Sequence, residues 1–495
     1  MRTSKWKIAF PMLLPIVLAI SLLGCYRMKG IDGGGEIGKV EKRQFNSQDI
    51  ALPPGYQVAL VASGFTFPSG LEFDEDGNIY ILEAGYSYGE IWTEPKLLQL
   101  AENGQTKTIA SGNKNGPWTG LEFHNGAFYV AEGGTMEGGK ILKINKNGNI
   151  TALIENLPTK GDHHTNGPVV KDNYIYFSLG VATNAGVVGP DNDAFGWLAR
   201  NPEFHDIPCQ DIVLNGINYD SENVLTATSG DKASTGAYVP YNTSTRAGQV
   251  IKGSIPCTGS VLRIPLNGGD PELVAWGLRN PFGMALSTGN EIYITENAYD
   301  ERGSRPVWGA GEVLWKITQG TWYGWPDFSE GKPIEGHEFK VPGEGLVKPL
   351  LQKHPQSPPK PAAILGVHAS ACGLDFSKNA SFGYPGEAFV AEFGDMAPTV
   401  GKVLSPVGFK IVRVNVETGA VMDFAVNKGS TNGPASWLGK GGLERPVAVK
   451  FDASGNALYI VDFGIVKMTD EGAVPVPTTG SIWKITKTGN GVSGN

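Results

Sequence analysis

One phrase recurs six times along this chain of 495 residues. It reads roughly Pro-x-Gly-Leu-x-Phe, a short turn, then Ile-Tyr-Ile-x-Glu. The copies begin at Phe67-Pro68-Ser69-Gly70-Leu71, Pro117-Trp118-Thr119-Gly120-Leu121, His164-Thr165-Asn166-Gly167-Pro168, Pro281-Phe282-Gly283-Met284, Ala371-Cys372-Gly373-Leu374 and Arg445-Pro446-Val447-Ala448. Each copy holds two alternating apolar runs, the pattern of half-buried strands. A second pair of strands follows each copy, as where Lys96-Leu97-Leu98-Gln99-Leu100 leads into Thr106-Lys107-Thr108-Ile109-Ala110. Four strands per unit at a period of roughly 40–50 residues predict an all-β fold, a six-bladed β-propeller. The run Tyr56-Gln57-Val58-Ala59-Leu60-Val61 precedes the first copy and is expected to close the ring as the outer strand of the last blade.

Two long loop insertions break the rhythm. Residues 181–258 fall between the second and third strands of blade three, and residues 321–361 are read as lying between blades four and five. Long loops in a compact domain are commonly lids or binding elements. Glycine at 68 residues and proline at 33 supply the turns that so many short strands need. A net charge of −8 without a basic block argues against nucleic acid as a partner.

The N-terminus reads as targeting rather than fold. Arg2, Lys5 and Lys7 precede an apolar run from Ile8 to Leu23, broken by Pro11 and Pro15. That run is shorter than the ~20 residues a membrane span requires. It ends in Leu22-Leu23-Gly24-Cys25, which looks like a bacterial lipobox with Cys25 as the lipidated residue. An ordinary signal peptide with an incidental cysteine is the alternative. The expected organisation is a lipoprotein signal peptide over 1–24, a lipidated flexible tether over 25–50 and the propeller over 51–490. Such a protein would be exported and would touch the membrane through its lipid only, at the outer membrane facing the periplasm or at the cell surface. Of the remaining cysteines, Cys209 and Cys257 flank one insertion and are the expected disulfide pair.

Propeller topology sorts the polar side chains. The loop leading into strand one and the end of strand two lie on the same face of each blade. Glu83, Glu132, Glu296, Glu392 and Asp462 therefore end their strands on one face, where His164, Arg279-Asn280 and Arg445 begin theirs. Strand-end carboxylates often cap turns, and arginines often serve as structural ion-pair partners, but their convergence with a histidine makes a candidate polar site.

The stretches Gly277-Leu278-Arg279-Asn280-Pro281-Phe282-Gly283, Ile294-Thr295-Glu296-Asn297, Glu312-Val313-Leu314-Trp315 and Tyr323-Gly324-Trp325-Pro326 resemble the glucose/sorbosone dehydrogenase family. The likeness runs from about residue 52 to 487, and Phe389-Val390-Ala391-Glu392 with Arg445-Pro446-Val447-Ala448 is similar to the sorbosone branch. Members are quinoproteins that use pyrroloquinoline quinone (PQQ) and calcium. The resemblance implies oxidation of a small sugar or sugar aldehyde, with a periplasmic electron acceptor. It implies His164 as general base, Arg279, Asn280 and Arg445 as cofactor-binding residues, and main-chain oxygens near Ala298 and Tyr299 as calcium ligands. Arginines suit the three PQQ carboxylates, calcium suits oxygen ligands, and a neutral histidine suits a hydroxyl proton.

The sequence also departs from the family. Phe282 stands where glucose-oxidising members have glutamine, no lysine occurs in Val367-His368-Ala369-Ser370, and Phe393-Gly394-Asp395-Met396 replaces His-Gly-Ser-Trp-Asn. Two other functions compete with the dehydrogenase. One is a calcium-dependent lactonase using Glu83, Glu132 and Glu296 as ligands. The other is a non-catalytic surface propeller that binds glycan or protein.

Overall fold

The computed structural model describes residues 43–85, 93–134, 136–193, 196–226, 228–396, 403, 405–469 and 472–488. Cys25 and the expected signal peptide over 1–24 lie outside the described residues. Six sheets form a six-bladed β-propeller, each blade antiparallel across its four main strands. Blade one is Pro68–Phe73, Ile79–Glu83, Lys96–Leu100 and Thr106–Ser111; blade two is Trp118–His124, Ala127–Glu132, Gly139–Asn145 and Ile150–Leu157. Blade three is Thr165–Lys171, Tyr174–Leu179, Ser260–Pro265 and Glu272–Trp276; blade four is Asn280–Leu286, Ile292–Asn297, Gly311–Lys316 and Ala363–Val367. Blade five is Ala371–Phe376, Ala388–Glu392, Lys410–Asn415 and Ala420–Asn427. Blade six is Pro446–Phe451, Ala457–Asp462 and Gly480–Lys487, closed by the N-terminal strand Tyr56–Phe65 against Gly480–Lys487.

Three features differ from the sequence reading. Segment 321–361 lies within blade four, because Ala363–Val367 pairs with Gly311–Lys316 as that blade's fourth strand. Within the segment, Thr321–Trp322 adds in parallel to Glu272–Trp276 of blade three. The expected tether also ends earlier than residue 50. Arg43 is buried with its guanidinium 2.5 Å from the Asp462 carboxylate, and Ile50–Ala51 pairs with Val426 and Asn427 at the edge of blade five.

The repeat glycines follow from how closely the six inner strands pack around the axis. A Cβ on Gly120 would lie 1.5 Å from the Gly167 carbonyl oxygen, and one on Gly283 would lie 2.3 Å from that of Cys372. Only glycine permits these approaches. Hydroxyls latch neighbouring blades: Ser69 donates to the Trp118 carbonyl at 2.7 Å, Thr119 to Thr165 at 2.6 Å, Ser178 to Pro281 at 2.7 Å and Thr295 to Cys372 at 2.7 Å. Between the blades pack aromatic and branched side chains, with Trp118, Trp315 and Trp483 fully buried. Burying a large apolar side chain contributes about 1.5–3 kcal/mol.

Candidate functional site

In each blade the last residues of strand two sit beside the start of strand one. Pro68 pairs with Glu83, Trp118 with Glu132, Thr165 with Leu179, Pro281 with Glu296, Ala371 with Glu392 and Pro446 with Asp462. One face of the channel is thus built from all six lead-in loops. A cavity of about 640 Å³, its open mouth included, occupies that face. Its walls are Trp118, Phe282, Phe393, Phe463, Pro117, Ala84, Val447 and Cys372, with His164, Asn297, Ser370, Thr119 and Ser69 as polar groups. Among the described residues, no lysine, arginine, aspartate or glutamate lines it, and neither does any residue of 181–258.

His164 reaches this cavity from the lead-in of blade three. Gly133 makes room: a Cβ there would lie 3.1 Å from the His164 Cβ and 2.7 Å from Pro117 Cδ. Gly180 donates its N–H to the His164 carbonyl at 3.0 Å, fixing the main chain. Burial lowers the His164 pKa to about 4, against the pull of Asp162, so the ring is neutral near pH 7. His163 lies outside the cavity lining, with Nδ1 2.9 Å from the Val181 carbonyl and Nε2 3.8 Å from Asp162. Its pKa falls to about 3, chiefly through burial.

The strand-end carboxylates are occupied by their own blades. Glu83 accepts the Thr66 N–H at 2.6 Å. Glu132 accepts the Trp118 indole N–H at 3.1 Å and an Asn115 amide N–H at 2.7 Å, orienting a cavity wall. Glu296 accepts the Arg279 main-chain N–H and the Trp315 indole N–H. Asp462 accepts the main-chain N–H groups of Glu444 and Arg445 at 2.8 and 2.9 Å. These four acids clamp lead-in loops, and the fifth, Glu392, is buried with the Lys410 ammonium 4.0 Å away. Among the described residues no group of three His, Cys, Asp or Glu side chains could hold a metal ion.

Arg279 and Arg445 are both buried and both absent from the cavity lining. Arg279 donates from Nε to the Asn184 carbonyl at 3.0 Å and from Nη1 to the Asn297 carbonyl at 3.2 Å. From Nη2 it donates to Asn184 Oδ1 at 2.8 Å and to Asp300 at 2.9 Å. The Arg445 guanidinium lies over the rings of Phe393 and Phe409, 5.0 and 4.9 Å from their centroids, and donates to the carbonyls of Gly394 and Asp395. It fixes the turn that carries the cavity wall Phe393. Asn280 donates to Asn297 Oδ1 at 2.9 Å, and Asn297 donates in turn to Glu312 at 2.7 Å. Burial raises the Glu312 pKa to about 8. Ala298 and Tyr299 line a separate small cavity with Arg279, Glu296, Trp325 and Glu330. The Tyr299 hydroxyl donates to the Phe328 carbonyl at 3.0 Å.

Sequence reading missed the ion cluster around Arg279. Arg302 contacts Asp162, Asp191 at 2.7 Å and Asp300 at 3.1 Å. Burial opposes the Asp300 charge, but Arg279 and then Arg302 hold its carboxyl well below the usual range. Asp162 beside His163-His164, and Asp300 three residues beyond Asn297, were the available signals. Cys209 and Cys257 are disulfide-bonded with Cα atoms 5.0 Å apart, whereas Cys372 is buried and free.

No protein-family model matches the sequence, and no curated protein matches it. Solved structures do resemble the fold. A carbohydrate-active enzyme of family AA12 from Trichoderma reesei, in an iodide structure, is 18% identical over 90% of this chain and 100% of that one, with a TM-score of 0.54. Its calcium structure gives 17% identity over 90% and 98%, with a TM-score of 0.52. The holo PQQ domain of pyranose dehydrogenase from Coprinopsis cinerea is 14% identical over 88% of this chain and 97% of that one, with a TM-score of 0.51. The structural neighbours thus include PQQ-dependent sugar dehydrogenases, and at these identities the likeness is one of fold.

PQQ brings three carboxylates, and the side chains present do not fit it. Among the described residues, no cation lines the His164 cavity. Arg279 already uses four of its five N–H groups, and Arg445 lies over two rings and is hydrogen-bonded to carbonyls.

Proposed function

We propose that this propeller is an oxidoreductase acting on a hydroxyl or hydrated aldehyde of a small sugar-like substrate, with His164 accepting the hydroxyl proton and an added quinone-type electron acceptor taking the hydride from the adjacent carbon. One observation carries the reading: a half-buried imidazole, held neutral, lines a cavity built from all six blades. A base must reach the hydroxyl at about 2.6–3.2 Å and must be unprotonated, and burial supplies the second condition. Trp118, held by Glu132, and Phe393, held through the Arg445 turn, give the substrate carbon skeleton rigid apolar walls. Asn297, Ser370 and Thr119 are the hydrogen-bonding groups that can orient its other oxygens. The dehydrogenase names among the fold's neighbours favour oxidation over other chemistry that begins with a proton transfer.

In its finer form the reading would make PQQ the hydride acceptor and calcium its activating ion. The charged groups among the described residues do not fit that cofactor. The lactonase alternative loses its ligands, since Glu83, Glu132 and Glu296 are engaged within their own blades. A dye-linked oxidation screen over aldoses, polyols and sugar aldehydes, with and without PQQ and calcium, tests the proposal. Reduction of the dye by at least one substrate class is expected. No reduction in any arm would remove the oxidoreductase reading.

A further inference from the structure

The cluster outside the His164 cavity carries its own counter-charges. Two guanidinium groups, Arg279 and Arg302, face three carboxylates, Asp162, Asp191 and Asp300, and two cations less three anions leave a net charge of −1. His163 and His368 adjoin the cluster, and burial keeps both mainly neutral near pH 7. Asp300 and Arg302 remain 38% and 32% exposed, so an arriving ligand meets an ion pair rather than a bare cation.

We infer that Asp300, with Asp162 and Asp191, acts as a resident counter-anion that reserves this face for uncharged ligands and turns away polycarboxylates such as PQQ. A ligand carboxylate could take Arg279 in a bidentate pair only by displacing Asp300 or another of its present acceptors. The displaced carboxylate would then stand beside the incoming charge, and like charges at such range repel strongly. Arg445 offers no substitute, because carbonyls and two aromatic rings already hold its guanidinium. The inference rests on the proposed function only for the location of the reacting group. It narrows the substrate class to neutral alcohols and aldehydes, excluding sugar acids and sugar phosphates.

Absorbance titration of the full chain with PQQ in excess calcium tests it without turnover. No saturable binding is expected up to about 100 μM. Asp300→Asn removes one negative charge and loosens the grip on Arg279 Nη2, so PQQ affinity should rise about tenfold or more. Saturable one-to-one binding to the wild type, lost in Arg279→Ala, overturns the inference. So does a folded Asp300→Asn protein that gains nothing. If that variant does not fold, Asp300→Ser is read in its place. Wild-type PQQ binding would leave the oxidoreductase reading standing, whereas failure of the dye-linked screen would leave charge exclusion untouched.

Discussion

Glu296 links the strand framework to the candidate site, and its replacement by glutamine has a sign that can be worked out. The carboxylate is buried at the end of the second strand of blade four, where it holds the Arg279 main chain and the Trp315 indole. Burial raises its pKa from 4.5 to about 7, despite the hydrogen bonds from Arg279 and Trp315. The folded state therefore binds this proton more tightly than the unfolded chain does. The associated stability is full below about pH 4.5 and is lost as pH rises through 7. That window corresponds to about 3 kcal/mol. At pH 5 the folded Glu296 carboxyl is protonated, so it too offers one carbonyl acceptor and one donor, and Glu296→Gln should cost only about 1 kcal/mol or less there. At pH 8 the wild type carries a buried charge that the variant lacks, so the gap between the two should shrink or reverse by about 3 kcal/mol. Urea unfolding of both proteins at pH 5 and pH 8 measures this difference of differences. Glu312 titrates in both proteins and largely cancels. A gap that stays constant across the two pH values would show that Glu296 titrates normally and would refute the reasoning.

The remaining predictions concern the framework and the base. Asp327 receives Arg305 at 2.9 Å and the main-chain N–H groups of Leu350 and Leu351 at 2.8 and 2.9 Å, with both charged side chains only 2% exposed. Asp327→Ala leaves Arg305 buried and unpaired, and should cost about 3–5 kcal/mol in urea unfolding. Reduction, or the double change Cys209→Ser with Cys257→Ser, opens a loop of 48 residues and should cost up to about 4 kcal/mol of stability. For the proposed oxidation, His164 works in its neutral form with a pKa near 4. The kcat/KM profile of wild-type protein, corrected for unfolding, should stay flat from pH 8 to about pH 5 and fall below about pH 4. An acid limb near pH 6.5 would mean the imidazole is solvated as in water.

Much of this architecture can be read from the sequence, and the reasons differ from element to element. The Pro-x-Gly phrase carries the blade count because its glycine is forced by close approach at the axis, as at Gly120 against Gly167. Closure by Tyr56–Phe65 was legible as an alternating strand left without a partner. Segment 321–361 was misplaced because Ala363–Val367 shows little alternation in burial and its pairing with Gly311–Lys316 spans a long excursion. The strand-end acids were placed on the correct face, yet their role was hidden. Whether Glu132 faces the axis or its own Trp118 depends on a rotamer, which no spacing encodes. The Asp162–Arg302–Asp300–Arg279 cluster joins loops far apart in sequence. His164 was legible because it replaces the apolar start of a regular copy, and irregularity in a repeat is information.

Turnover of His164→Gln compared with wild type tests the central assignment most directly. Glutamine fills similar space and can still hydrogen-bond a hydroxyl, but it cannot accept its proton at neutral pH. On the best substrate from the dye-linked screen, kcat should fall by about 10²- to 10⁴-fold. KM should stay within a few-fold, because the apolar walls of Trp118, Phe282 and Phe393 are untouched. An unchanged kcat would contradict the account and remove His164 from the reaction.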